Sequence, residues 1–77
     1  MQLKQVLVDI AKSIVDSPDD VTVIEEADGD DVTLILSVAP DDMGLVIGRQ
    51  GRIAKAIRTV MKAAAGTENK KVNVEIR

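Results

Sequence analysis

Residues 44–65 have the sequence GLVIGRQGRIAKAIRTVMKAAA, and this stretch decides the fold. A short apolar segment leads into the bend Gly48-Arg49-Gln50-Gly51, after which a longer helix is predicted from about Arg52 to Ala65. Its apolar side chains recur at helical spacing and form one stripe: Ile53, Ile57, Val60, Met61 and Ala64. The stretch is therefore predicted to be two helices joined by a G-x-x-G loop.

The flanking segments complete an α-β-β-α-α-β order. Residues 3–15 repeat apolar side chains at helical spacing, whereas VTVIEEA (21–27), VTLILSV (32–38) and the final KKVNVEIR alternate as strands do. Asp28-Gly29 is predicted to be the hairpin turn, which would pair Val23 with Leu34. Asp41 or Asp42 is expected to cap the short helix before the loop, and Gly66 to end the second.

The apolar faces of these elements can share one core. Three helices on one face of a three-stranded mixed sheet, in an α+β fold, would bury all of them. The first two strands are predicted to be antiparallel, and the second and third parallel because two helices fill the crossover between them. We expect a single domain over residues 1–77.

Composition excludes several classes of function. The chain has no cysteine and no histidine, so disulfides, thiolate or histidine metal sites and a Ser-His-Asp triad are ruled out. The acidic stretch DGDD at 28–31 lacks the later Glu and the spacing of a calcium loop and is expected to be a hairpin turn. We therefore expect no enzyme activity, metal or cofactor. No apolar run approaches the roughly 20 residues that span a bilayer, and a cytoplasmic protein is expected.

Charge is divided between the two halves of the chain. Residues 1–42 contain two basic and eleven acidic side chains, and residues 43–77 contain eight basic and two acidic ones, so the halves carry −9 and +6. The basic half places four side chains within an arc of about 120° on the long helix: Arg52, Lys55, Arg58 and Lys62. Because exposed charges are screened beyond about 10 Å, this face can attract an anion although the whole chain is acidic.

The G-x-x-G loop is suited to a phosphodiester backbone. Its spacing does not match a P-loop or a dinucleotide-binding fingerprint. Glycine lets another backbone approach closely, the following helix starts with free N–H groups, and Arg49 and Arg52 add positive charge. The alternative is a simple helix–helix joint in which the glycines only end one helix and begin the next.

The stretch GLVIGRQGRIAKAIRTVMKAAA resembles the core of a KH domain in its VIGxxGxxIxxI form. The element order is similar to the type II, prokaryotic arrangement. Three further segments resemble the small stand-alone bacterial KH proteins of the KhpA (YlqC) type: the opening helix, VDSPDDV at 15–21 and the short KKVNVEIR ending. The resemblance extends over the whole chain.

This resemblance implies a binding site. In KH domains the G-x-x-G loop clamps about four nucleotides of single-stranded nucleic acid, a role that falls here to Gly48, Arg49, Gln50 and Gly51, with Arg52 and Lys55 continuing the basic surface. The bases would lie in an apolar groove, for which the candidates are Val46, Ile47 and Ile53, with Ile35 or Leu36 as further walls. For Ile53, three positions stay open: core, groove or dimer contact.

The resemblance also implies a function and partners. We expect a protein that binds single-stranded RNA without catalysis, as an RNA chaperone or post-transcriptional regulator. A homodimer and a heteromer with a larger Jag-type KH protein are implied in the same way. The alternative is a protein-interaction adaptor that docks through the acidic half or the mixed sheet face. The chain has no aromatic residue, so stacking on aromatic rings is excluded and one copy is expected to bind weakly and with little selectivity.

Overall fold

A computed structural model describes residues 2–77 and has the predicted element order. The helices and strands are α1 (Leu3–Ile14), β1 (Thr22–Asp28), β2 (Asp31–Ser37), α2 (Met43–Ile47), α3 (Arg52–Gly66) and β3 (Lys71–Ile76). Short 3-10 turns occupy Pro18–Asp20, Pro40–Asp42 and Arg49–Gly51. Within the described residues, no helix is both long and apolar enough to cross a membrane.

The sheet has the order β1-β2-β3, with β1 and β2 antiparallel and β2 and β3 parallel, as predicted. The predicted hairpin register is wrong by two residues: Val23 pairs with Leu36 instead of Leu34. Asp28 remains in β1, and the turn is Gly29-Asp30, with Gly29 at φ +62°. An Asp28-Gly29 turn of type I′ would need a positive φ at Asp28 as well. Since side chains alternate with a period of two, the shift leaves Val23 on the core face.

The core lies between the helices and one face of the sheet. The five largest of its fully buried side chains bind the layers together: Leu7 of α1, Leu34 and Leu36 of β2, Val46 of α2 and Met61 of α3. Complete burial of an aliphatic side chain of this size contributes about 1.5–3 kcal/mol. These contacts fix α3 against the sheet, so the G-x-x-G loop at its first turn has a defined position.

Asp42 links the start of α2 to the loop that follows α1. Its side chain is buried, and its carboxylate accepts a hydrogen bond of 3.0 Å from the backbone N–H of Ser17. Asp42 occupies the N-cap position of α2 but makes no capping hydrogen bond, so the predicted capping role is wrong. The carboxylate instead joins two segments 25 residues apart in sequence.

α3 ends at Gly66, as predicted, but Gly66 does not adopt the left-handed conformation of a terminating glycine. The left-handed residue that turns the chain toward β3 is Asn69, at φ +57°. The N–H of Lys70 then donates to the carbonyl oxygen of Ala65 at 3.0 Å. Asparagine tolerates the left-handed region better than most residues, and this turn brings β3 back under α3.

Gly48 makes the sharp joint between α2 and α3. It has φ +76° and ψ 175°, a conformation that is essentially restricted to glycine. Its Cα faces Ile53 so closely that an added Cβ would lie 2.9 Å from both the Cβ and the backbone N of Ile53. The absence of a side chain at position 48 therefore permits both the turn and the close approach of the two helices.

Replacement of Asp42 by Ala should destabilise the protein by about 1–3 kcal/mol, because the partly buried N–H of Ser17 would lose its acceptor. The free energy of unfolding can be measured by urea denaturation followed by far-UV circular dichroism. Asp42→Asn, which keeps a side-chain oxygen as acceptor, should lose less stability than Asp42→Ala. The exposed neighbour provides the control, and Asp41→Ala should change stability by no more than about 0.5 kcal/mol. Equal effects at the two positions would contradict the assigned hydrogen bond.

Gly48→Ala should cost at least about 2 kcal/mol, from the positive φ and from the collision with Ile53. Gly44→Ala is the matched control in α2, since an added Cβ there meets nothing within 4 Å. Alanine at that helical position should be neutral or stabilising by about 0.5–1 kcal/mol. The same urea experiment measures both variants, and a Gly48→Ala protein as stable as Gly44→Ala would refute the packing described for the joint.

Candidate nucleic-acid interface

The G-x-x-G loop lies at the surface in an unusual backbone conformation. Gly48, Gln50 and Gly51 all have positive φ, at +76°, +58° and +73°. For Gln50 the left-handed region costs about 1–2 kcal/mol, because its Cβ crowds the following carbonyl. Strain of this kind in a non-glycine residue is concentrated at functional sites in proteins.

In the part of the chain that the structure describes, two of the four backbone N–H groups of the loop are uncommitted, since those of Gly48 and Gly51 donate to carbonyl oxygens. The N–H of Gly51 donates to the carbonyl oxygen of Gly48 at 3.2 Å, whereas within residues 2–77 the N–H groups of Arg49 and Gln50 have no backbone acceptor. Gly51 occupies the N-cap position of α3, and no side chain caps the helix. Free N–H groups and the positive end of the helix dipole therefore meet at the loop, where an anion is favoured.

Side-chain charge adds to this local field. Arg49 is exposed within the bend, Arg52 is exposed just after it, and Lys55 is exposed one turn further along α3. No aspartate or glutamate occurs between residues 43 and 67. Nothing in the helix itself neutralises these cations, so the loop and the start of α3 form one positive surface.

The basic face of α3, defined by Arg52, Lys55, Arg58 and Lys62, runs beside the edge of the sheet. Arg58 Nε donates to the carbonyl oxygen of Val74 at 3.2 Å. Since β3 is the edge strand and pairs with β2 on its other side, this bond covers part of an open edge. Arg58 thus has a structural partner, whereas Arg52 and Lys55 extend into solvent.

The predicted apolar groove is only partly present. Ile47 is 37% exposed beside the loop, but Val46 is fully buried in the core. The prediction that Val46 lines the groove is therefore wrong, because its side chain packs inside the protein. Leu36 is buried on the core face of the sheet, and Ile35, on the opposite face, is 7% exposed, so neither offers an open wall.

Ile53 belongs to the surface and is 39% exposed, so the core option is excluded. It lies at an apolar hollow between α1 and α3, here called the α1–α3 hollow, with a volume of about 300 Å³. Its lining is entirely aliphatic: Ile10, Ile14, Ile53, Ala56, Ile57 and Val60. Ile10 and Ile14 of α1 are partly buried and also pack against the core. The width of the apolar stripe on α1 is the signal that could have indicated a second surface.

α3 therefore has three distinct faces. Buried residues such as Ala54 and Met61 point into the core. At about 100° per residue, the exposed apolar side chains and the basic face lie roughly 155° apart around the axis. Ile53 and Val60 face the α1 side, and Arg58 and Lys62 face the β3 side. Two partners can thus contact α3 without occupying the same surface.

Comparisons with known proteins agree with this geometry. The family model described as "KhpA/KhpB, KH domain" matches residues 4–76. Curated relatives named RNA-binding protein KhpA include those of Clostridium acetobutylicum, 64% identical over 96% of this chain and 99% of the relative, and of Clostridium perfringens, 61% identical over the same shares. The Bacillus subtilis protein of that name is 49% identical over 96% of this chain and 91% of its own. The fold, the loop and these matches agree, and the chain belongs to the KhpA/KhpB family of KH domains.

Proposed function

We propose that this protein binds single-stranded RNA without catalysis and that the loop Gly48-Arg49-Gln50-Gly51 clamps the sugar-phosphate backbone. The observation that carries the proposal is the exposed bend itself, with its uncommitted amides next to Arg49 and Arg52. An added Cβ at Gly51 would meet nothing within 4 Å, so glycine there leaves open space through which a phosphate can reach the N–H groups. A phosphodiester would then accept hydrogen bonds and meet positive charge at the same place.

The names of the relatives support the choice of ligand. Proteins that share up to 64% of aligned residues with this chain are named RNA-binding proteins. The proposed clamp contacts the strand through its sugar-phosphate backbone. The bases would then contact Ile47 and the apolar surface beside it. The proposed cellular role is that of an RNA chaperone or post-transcriptional regulator in the cytoplasm, since such a clamp can hold a transcript unpaired without changing it chemically.

The double variant Arg49→Asp/Gln50→Asp tests the clamp. It places two carboxylates where phosphate would bind, so affinity for an unstructured RNA oligonucleotide should fall at least about tenfold, or 1.4 kcal/mol. Fluorescence anisotropy with labelled oligouridine measures the affinity. In the wild-type protein, the amide resonances of residues 48–51 should also shift when the RNA is added.

The control for this variant is Gln2→Asp/Lys4→Asp, which makes the same change in net charge at exposed positions outside the loop and its flanking helices. Far-UV circular dichroism should show an intact fold in both proteins. RNA affinity that survives in the loop variant, or falls equally in the control, would argue against a clamp at residues 48–51.

We also propose that the protein self-associates through the α1–α3 hollow, an apolar surface other than the acidic side chains and the sheet face to which the adaptor hypothesis assigned docking. Val60 is 50% exposed and Ile53 is 39% exposed at this hollow. Since each of these side chains is already about half buried, covering the rest against a second copy would contribute about 1 kcal/mol per side chain. The same surface is the proposed docking site of a larger Jag-type KH protein, which would then compete with the second copy.

Val60→Asp should weaken self-association at least about tenfold, because the substitution would bury a carboxylate in an apolar contact. Thr59→Asp is the control on the same turn, since Thr59 is exposed and does not line the hollow. Sedimentation equilibrium over a range of protein concentrations gives the association constant. If wild type and both variants are all monomeric at high concentration, or if Thr59→Asp has the same effect as Val60→Asp, the proposal fails.

A further inference from the structure

A second basic site lies at the other end of α3. Lys62, Lys70, Lys71 and Val72 line a cleft of about 370 Å³ between the last turns of α3 and the start of β3, here called the lysine cleft. No motif in the sequence predicts a role for Lys70 or Lys71. Three ammonium groups around one concavity create a local positive field in a chain whose net charge is −3.

Of the three lysines of the cleft, Lys70 is the one that forms an ion pair among residues 2–77. The ion pairs among residues 2–77 join Lys70 to Glu68, at 4.0 Å, and Arg77 to Glu75. Asp31 is the neighbour of Lys71 in sheet register, but the two side chains form no such pair. The ammonium groups of Lys62 and Lys71 therefore remain available to an external anion.

The lysine cleft continues the basic face that begins at the G-x-x-G loop. Lys55 and Lys62 are seven residues apart, which places them on the same side of α3 at a separation of about 10 Å along the axis. Arg58 lies between them and is held against the β3 edge by its bond to the carbonyl oxygen of Val74. The positive surface thus runs from Arg52 to Lys62 over about 15 Å, with no carboxylate on α3 to interrupt it.

We propose that the lysine cleft is a second phosphate-binding site for the same RNA strand that the G-x-x-G loop holds. The inference rests on the proposed function and extends it: the bound strand is longer than the roughly four nucleotides that the loop clamps. Lysine is a flexible point charge that does not need a fixed phosphate geometry. The cleft therefore binds the backbone of any sequence and contributes length dependence to the affinity.

The test compares oligouridines of about four and about twelve nucleotides with wild type and Lys62→Gln/Lys71→Gln. Each lost phosphate contact should reduce the slope of log affinity against log salt concentration by about 0.7. For the longer RNA the variant's slope should therefore be smaller by about 1.4. For the shorter RNA, which reaches only the loop, affinity and slope should be unchanged. Lys70 is left in place because Glu68 lies beside it.

The control variant is Lys4→Gln/Lys12→Gln, which removes the same two charges from exposed positions on α1. Its slope with the longer RNA should equal that of wild type. An unchanged slope in the cleft variant, an equal loss in the control, or an equal loss with both RNA lengths would overturn the second site while leaving the loop clamp in place. If wild type binds neither RNA, the proposed function fails and the second site fails with it.

Discussion

The close approach of Gly48 to Ile53 is the constraint on which the rest of the structure depends. The two helices around the loop are joined by only four residues, and a side chain at position 48 would collide with the first turn of α3. With glycine there, α2 can turn Val46 into the core while α3 begins at the surface. The same joint therefore anchors α2 and exposes the bend that we propose as the RNA clamp.

This joint also fixes the rotation of α3, and that rotation separates the functions of its faces. Ala54, Met61 and Ala65 must point into the core. The basic face then lies over the β3 edge, where Arg58 covers the carbonyl of Val74, and the α1–α3 hollow lies on the other side. The basic side chains of α3 and its exposed apolar side chains therefore lie on separate faces of the helix. A phosphate backbone and a second protein can each find a surface of matching chemistry.

Sequence periodicity predicted the elements, the mixed sheet and the basic face because each depends on repeats within one segment. The hairpin register was missed, since turns centred at Asp28-Gly29 and at Gly29-Asp30 both keep Val23 on the core face. The burial of Val46 was missed because α2 has only five residues, too few for a helical repeat to distinguish its faces. The role of Asp42 depends on Ser17, 25 residues away, which no local pattern reveals.

The composition of the chain restricts how it can gain affinity for RNA. Without an aromatic residue, it lacks the stacking that contributes about 1–3 kcal/mol per base elsewhere. Phosphate contacts remain, and their contribution falls as salt rises. A second copy docked in the α1–α3 hollow would leave the basic face of each copy open, because the two surfaces lie on different sides of α3. In such a dimer, an RNA strand bound to one basic face is held close to the other, so the second face binds at a high effective concentration. Self-association would then supply affinity that the side chains of one copy lack.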